Sequence, residues 1–201
     1  MATLHLMVGL PCSGKTTLAQ KLEREQSALR LTPDEWHIRL FGQDAEEPEH
    51  DARHGLIEAM LWNIASRALE LGTNVILDFG FWAREEREDY RSRAKQLGAS
   101  SEVHFLDVSA DELMQRLAVR NAQPSPTSFY IPEAMMKPWI AFFQRPTPDE
   151  LERQEQGQGG RIELENSPWY LRYSALIGAN DAAQILLAPC SNRRLMFACN
   201  V

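Results

Sequence analysis

The sequence predicts an α/β fold, a parallel sheet held between layers of helices. Three observations predict it. Short apolar runs alternate with stretches of helical period over roughly the first 120 residues. The first run ends in a glycine-rich turn that opens a helix, and a later run ends in a carboxylate. The helical stretches carry start and stop residues where they are needed.

Each element follows from its residues. Leu4–Val8 is short, apolar and followed by Gly9, so it reads as a strand. Lys15 to about Glu25 carries Leu18, Ala19 and Leu22 at helical spacing. Ala28–Thr32 is a second short strand. Pro33 stands where a helix can begin, with Thr32 as N-cap and Glu35 as its capping-box partner. Glu49–Leu71 has the clearest helical period: Leu56, Ile57, Met60, Leu61, Ile64, Ala68 and Leu69 form one apolar stripe, and Gly72 ends it. Asn74–Leu77 is a buried strand ending in Asp78. Arg84–Leu97 is a charged helix stopped by Gly98, Ser101–Leu106 is another strand, and Asp111–Arg120 is a helix with Ser109 as N-cap.

Beyond Asn121 the alternation fades. Gln123–Pro132 holds three prolines and reads as a mobile loop. Glu133–Phe143 reads as helical despite Pro138. Glu150–Gly160 is polar and ends in Gly-Gln-Gly-Gly, a linker composition. Ile185–Leu187 has strand character in a tail that is otherwise hard to read. The expected organisation is a domain over 1–150, with a small lid segment around 116–132, followed by a C-terminal extension over 151–201.

Composition bounds the function. With 201 residues, 44 % hydrophobic and 24 % charged, the chain is long enough to bury a core. A net charge of −7 makes an extended nucleic-acid partner unlikely as an expectation, because that affinity comes from Lys and Arg. No apolar run approaches the ~20 residues of a membrane span. The N-terminus lacks the basic region of a signal peptide, so the expected location is cytoplasmic. Cys12, Cys190 and Cys199 have neither metal-ligand spacing nor a disulfide framework. The oligomeric state is left open.

The chemistry starts at Gly9-Leu10-Pro11-Cys12-Ser13-Gly14-Lys15-Thr16-Thr17, which contains the spacing G-x-x-x-x-G-K-[ST]. Gly9 and Gly14 permit torsions that aim successive amides at a polyphosphate, and the helix that follows adds its positive end. Lys15 is expected on the β- and γ-phosphates and Thr16 on Mg²⁺. Pro11, Cys12, Ser13 and Thr17 complete the expected ATP cradle. These residues resemble P-loop NTPases, which implies the three-layer P-loop NTPase fold. No Asn-Lys-x-Asp or Thr-Lys-x-Asp stretch of a GTPase is present, and the short chain looks more like a P-loop kinase.

Asp34 lies just past the second strand. The carboxyl ends of strands in such a sheet face one crevice, so Asp34 is expected to share the cleft with the loop. There a carboxylate can accept the proton of a hydroxyl that attacks the γ-phosphorus. The chain at this point resembles a group of small P-loop kinases that includes phage polynucleotide kinase, chloramphenicol phosphotransferase and the zeta toxins. Thr32–Trp36, Val75–Trp82 and Arg116–Asn121 resemble segments of bacterial ATP-binding proteins of that group.

The resemblance implies Asp34 as the base and a following substrate-binding arginine. His37 stands at the closest spacing for that arginine, and Arg39 two residues further on. It also implies that Arg116 and Arg120 belong to a lid over the transferring phosphate; the alternative is a surface pair. Arg120 counts among the nucleotide contacts as well. Asp78 has the place of a carboxylate that holds Mg²⁺ or orients the acceptor. Trp82, with Phe79 and Phe81, lines or underlies an acceptor pocket. Arg84 and Arg87 are the arginines nearest the strand end. The expected activity is transfer of the ATP γ-phosphate to a hydroxyl-bearing small molecule or nucleotide-like acceptor. The alternative is a nucleotide-binding switch, which needs no acceptor base.

Overall fold

The computed structural model describes residues 2–123 and 126–154; the expected linker residues 155–160 and the strand at Ile185–Leu187 lie outside them. The chain runs β1 (Thr3–Val8), α1 (Lys15–Gln26), β2 (Leu29–Leu31), α2 (Pro33–Phe41) and α3 (His50–Glu70). It continues through β3 (Val75–Gly80), α4 (Arg84–Gln96), β4 (Ser100–Phe105), α5 (Ala110–Ala122), α6 (Glu133–Phe142) and α7 (Pro148–Leu151). The strands form one parallel sheet in the order β2-β3-β1-β4. From β1 the chain first crosses to one side, into β2 and β3, and then back over β1 to β4. The loop after β1 therefore opens at a switch point, where such sheets form a crevice.

Side-chain alternation decides what faces that crevice. Met7 and Ile76 cluster with Ala19, Leu22 and Ala28, so α1 covers the sheet face these two residues share. Asp78 is two residues beyond Ile76 and belongs to the same face. In register, Leu77 stands beside both Leu6 and Leu31, which sets Asp78 just past the end of β2, while β1 runs on to Val8 beside Gly80. The strand does not stop at Asp78 as expected. It continues to Gly80, whose carbonyl accepts from the Gly9 N–H at 3.0 Å.

Several local expectations change. Thr32 makes no side-chain cap. Arg30 donates to Thr32 Oγ1 and to Glu35 at 2.9 Å, so Glu35 is half of an ion pair instead of a capping box. The buried edge of α3 is Ile57, Leu61, Ala65 and Leu69, at a four-residue spacing. Leu56, Met60 and Ile64, expected in the stripe, are exposed, because an outer helix presents only one narrow edge to a sheet. Ser109 does cap α5, accepting from the Glu112 N–H at 3.3 Å.

The segment after α5 is packed where it is described. Phe129 and Ile131 are buried. Gln43, in the α2–α3 connection, donates to Ser128 O and accepts from Tyr130 N, both at 3.1 Å, replacing a strand partner for a stretch that has none. Glu150 is 1 % exposed and does not open a linker. Its carboxylate caps α7 through Thr147 and takes two guanidinium bonds from Arg87, at 2.6 and 3.1 Å. Arg87 Nη1 also donates to Phe81 O, Trp82 O and Gln144 O. This clasp ties residues 144–150 to the end of β3.

Candidate active site

The loop between β1 and α1 is built from left-handed residues. Gly9 has φ +151°, Cys12 +66° and Gly14 +100°. A Cβ on Gly9 would lie 2.7 Å from Ser13 Oγ, so no side chain fits there. Cys12 and Gly14 flank Ser13, whose N–H closes the turn onto Leu10 O at 3.2 Å, and alternating torsions of this kind suit an anion-binding concavity. The first turn of α1 has neither an acidic residue nor a side-chain cap, so its free amides and dipole are left for an anion. Ser13 Oγ is buried without a hydrogen-bond partner among the described residues. Pro11 and Cys12 are half-buried, while Thr16 and Thr17 are exposed at the mouth.

Lys15 reaches back over the loop and donates to Leu10 O at 2.8 Å. Burial pushes its amine below the ordinary lysine range, and the charges of Asp78 and Asp34 act in the opposite direction. Asp78 is 6 % exposed, and neither carboxylate oxygen has a hydrogen-bond partner of standard geometry among the described residues. Burial raises its carboxyl above the usual range, while the nearby Thr16 hydroxyl and Lys15 favour the charged form. An unpaired buried carboxylate beside a hydroxyl fits a hard cation such as Mg²⁺.

Asp34 sits half-buried in the first turn of α2. Its charge acts on Lys15, Asp78 and His54. Asp34 and Asp78, from beyond the ends of two strands, therefore both favour the charged form of the same lysine.

The remaining expected residues divide. Arg116 Nη1 donates to Cys12 O and Ser13 O, each at 3.2 Å, and so braces the back of the loop. Arg120 reaches Cys12 Sγ at 3.9 Å and Phe129 O at 2.8 Å, and its charge acts on Lys15. Asn121 holds Ile131 O at 2.7 Å. Trp82 packs on Trp139 with ring centres 5.3 Å apart. Arg84 is committed to Glu88, Thr147 and Asp149, away from the loop. Arg39 is exposed near the end of α2. His37 is fully buried and bonds Asp44, with His50 stacked at 4.6 Å. Sequence reasoning missed the Asp44, His50 and His54 surround. The one signal for it was His50 and His54 spaced one helical turn apart.

Residues 4–146 match the family described as AAA domain. No curated protein matches the sequence significantly. Among solved structures, a chain of the Pnkp1/Rnl/Hen1 RNA repair complex is 24 % identical with a TM-score of 0.59. The match covers 70 % of this chain and 43 % of that one, so this chain spans less than half of its length. A putative kinase from Chloroflexus aurantiacus J-10-fl is 22 % identical, with a TM-score of 0.53 over 61 % of this chain and 68 % of that one. A gluconokinase from Sinorhizobium meliloti 1021 is 16 % identical, with a TM-score of 0.53 over 74 % and 78 %. These likenesses show the fold alone: a three-layer α/β architecture with a parallel sheet between helices.

Proposed function

We propose, for a chain that belongs to the AAA domain family, an ATP-dependent phosphotransferase activity that moves the γ-phosphate to a hydroxyl of a small molecule or nucleotide-like acceptor. One observation carries the reading. Two carboxylates from different strand ends, Asp34 and Asp78, both act on the loop lysine Lys15. A nucleotide-binding module needs one of them for its cation; the second has a use when a hydroxyl must lose a proton.

The residues take distinct roles. The amides of Gly14, Lys15, Thr16 and Thr17, with the Lys15 side chain, bind and orient the phosphates. Asp78 and Thr16 would hold Mg²⁺, which supplies charge neutralisation for the phosphoryl oxygens. Asp34 accepts the proton of the acceptor oxygen. Arg120 is better placed than Arg116 to meet phosphate charge, since it already acts on Lys15. Arg116 instead keeps the loop in shape through its two carbonyl bonds. Because the transition state of phosphoryl transfer is loose, catalysis here consists of positioning and electrostatic stabilisation.

The test is ADP release from ATP and Mg²⁺ across a panel of hydroxyl compounds: sugars, nucleosides, aminocyclitols and oligonucleotide 5′ ends. Stimulation by one class that disappears in Asp34→Asn supports the reading. ADP release that ignores every acceptor, and survives Asp34→Asn, overturns it in favour of a nucleotide-driven switch.

A further inference from the structure

Behind the candidate base, α2, the α2–α3 connection and the first turns of α3 bring three imidazoles together. His37 and His54 face each other with their Nδ1 atoms 3.3 Å apart. His50 stacks on His37, and the ligand atoms of all three lie within 4.8 Å of one another. We infer that His37, His50 and His54 form a binding site for a divalent transition-metal ion, of the three-histidine kind that suits zinc.

The carboxylates around the cluster decide which nitrogens are free. Asp44 is buried and receives His37 Nε2 at 2.8 Å and His50 Nδ1 at 2.7 Å. Those nitrogens must carry protons to donate, which leaves lone pairs on His37 Nδ1 and His50 Nε2. Glu58 stands 3.5 Å from His54 Nε2 and favours a proton on that nitrogen, which leaves the His54 Nδ1 lone pair whenever the ring is neutral, although, against burial, Glu58 also raises the pKa of the ring. In its neutral form each ring thus presents one unprotonated nitrogen and turns the other toward a carboxylate. This is the arrangement by which outer carboxylates orient metal-binding histidines. Asp44 also accepts from Arg53 Nη1 at 2.8 Å, which balances its charge.

One of the three spacings already agrees with the chemistry, within a set that lies inside 4.8 Å. Two nitrogens at about 2.0–2.1 Å from a tetrahedral zinc lie about 3.3–3.4 Å apart. The His37–His54 separation of 3.3 Å already has this value. Two lone pairs held so close repel unless a cation or a proton lies between them. The surroundings favour an ion with defined geometry. Phe129 meets the His37 and His50 rings edge-on at 5.2 and 5.0 Å, and Phe41 meets His37 at 5.3 Å. This apolar shell limits water and lowers the local dielectric. Three protein nitrogens leave a fourth position for water or an exogenous oxygen. His37 lies one turn after Asp34 on α2, so the ion would sit next to the place where the acceptor is expected. The site itself is independent of the phosphotransferase reading.

The test uses the full chain, without nucleotide, titrated with Zn²⁺ and with Co²⁺. About one equivalent is expected to survive gel filtration, and the Co²⁺ form should show the intense visible bands of a tetrahedral nitrogen site. Of the five histidines in the chain, the ring signals of His37, His50 and His54 should shift in a ¹⁵N NMR titration. Those of His5 and His104 should not. His50→Gln and His54→Gln, at half-exposed positions, should each weaken binding at least tenfold, and His104→Gln should not. Absence of stoichiometric uptake by the wild-type chain overturns the site and leaves the pair sharing a proton. Uptake that moves the wrong ring signals, or gives the weak spectrum of an oxygen-ligated octahedral ion, overturns it equally. Both readouts use wild-type protein, so a variant that fails to fold cannot decide the matter.

Discussion

Two buried charged sites draw on the end of β3 and the residues just after it and are built on opposite plans. Arg87 is fully buried and spends its guanidinium on Glu150 and on three backbone carbonyls. Glu150 answers with both oxygens and caps α7 as well. Near the end of β3, Asp78 is nearly as buried, yet among the described residues neither of its oxygens has a hydrogen-bond partner of standard geometry, with only the Thr16 hydroxyl nearby. A folded chain leaves few buried polar groups unpaired, so the second arrangement needs an explanation that the first does not. The Arg87 clasp is architecture, complete in itself. On the proposed function, the Asp78–Lys15–Asp34 group is completed by a bound nucleotide and cation, and its cost to stability is set against that use.

If this contrast is correct, damage to the two sites should separate activity from stability. The largest effect is expected from Asp34→Asn. Loss of a general base lowers rates by about 10²–10⁴-fold, so acceptor-stimulated ADP release should fall by that factor. ATP affinity should hold, and the unfolding midpoint should correspond to a change within about 0.5 kcal/mol. An Asp34→Asn protein that binds ATP poorly or unfolds early would place Asp34 on the architectural side. Next in size is Glu150→Gln, which leaves the Arg87 charge buried and unpaired. Its expected cost is about 3–5 kcal/mol in denaturant unfolding. Replacing both partners, as Arg87→Met with Glu150→Leu, should recover most of that loss, because a hydrophobic substitute avoids the desolvation of two ions.

Lys15→Met sharpens the comparison from the other side. Loss of one phosphate-directed donor costs about 10²–10³-fold in turnover. Stability should not fall with it. The Lys15 amine is disfavoured by its own burial, and its one hydrogen bond to Leu10 O returns little. A Lys15→Met chain that melts well below the wild type would show that the lysine holds the loop together rather than serving a ligand.

The sequence disclosed these two sites very unequally. The loop was legible because its constraint is local: Gly9 and Gly14 sit where left-handed or otherwise excluded torsions are needed, within a few residues of Lys15. Asp34 and Asp78 were legible through the alternation of strand and helix, which fixes the end of the sheet they reach. The clasp was not legible. Arg87 and Glu150 are 63 residues apart, each lies in a stretch dense in charge, and pairing across that distance leaves no periodic trace. The width of the α3 stripe was misread for a related reason. Leu56, Met60 and Ile64 share the helical period with the buried Ile57 and Leu61, and only the neighbour's shape decides which of them the sheet covers. His37 stood at the spacing expected of a substrate residue, yet its surroundings come from Asp44, His50 and His54, after a connection of no regular structure. Spacing along the chain could place its backbone but not choose its partners.

The smallest of the expected effects concerns a third buried polar group, which falls between the two plans. His5, in the middle of β1, is 1 % exposed and faces His104 Nε2 at 2.9 Å across the strand pair. Burial, with the neighbouring His104 acting in the same direction, lowers its pKa from 6.5 to about 4, while Glu102 opposes the shift. The folded chain therefore keeps His5 neutral at a pH where the unfolded chain has already taken up a proton. Below pH 6.5 the unfolded state binds more protons than the native state, so stability falls with pH from about 6.5 down to about 4 and is then flat with respect to this group. Between pH 7 and about pH 5.5 the loss is on the order of 1 kcal/mol. Guanidinium unfolding at these two values should show that loss in the wild type and a flatter response in His5→Leu. An equal loss in both chains would transfer the acid sensitivity to another group and make His5 as well accommodated as Arg87. The expected difference makes it a cost that neither a matched partner nor a ligand removes.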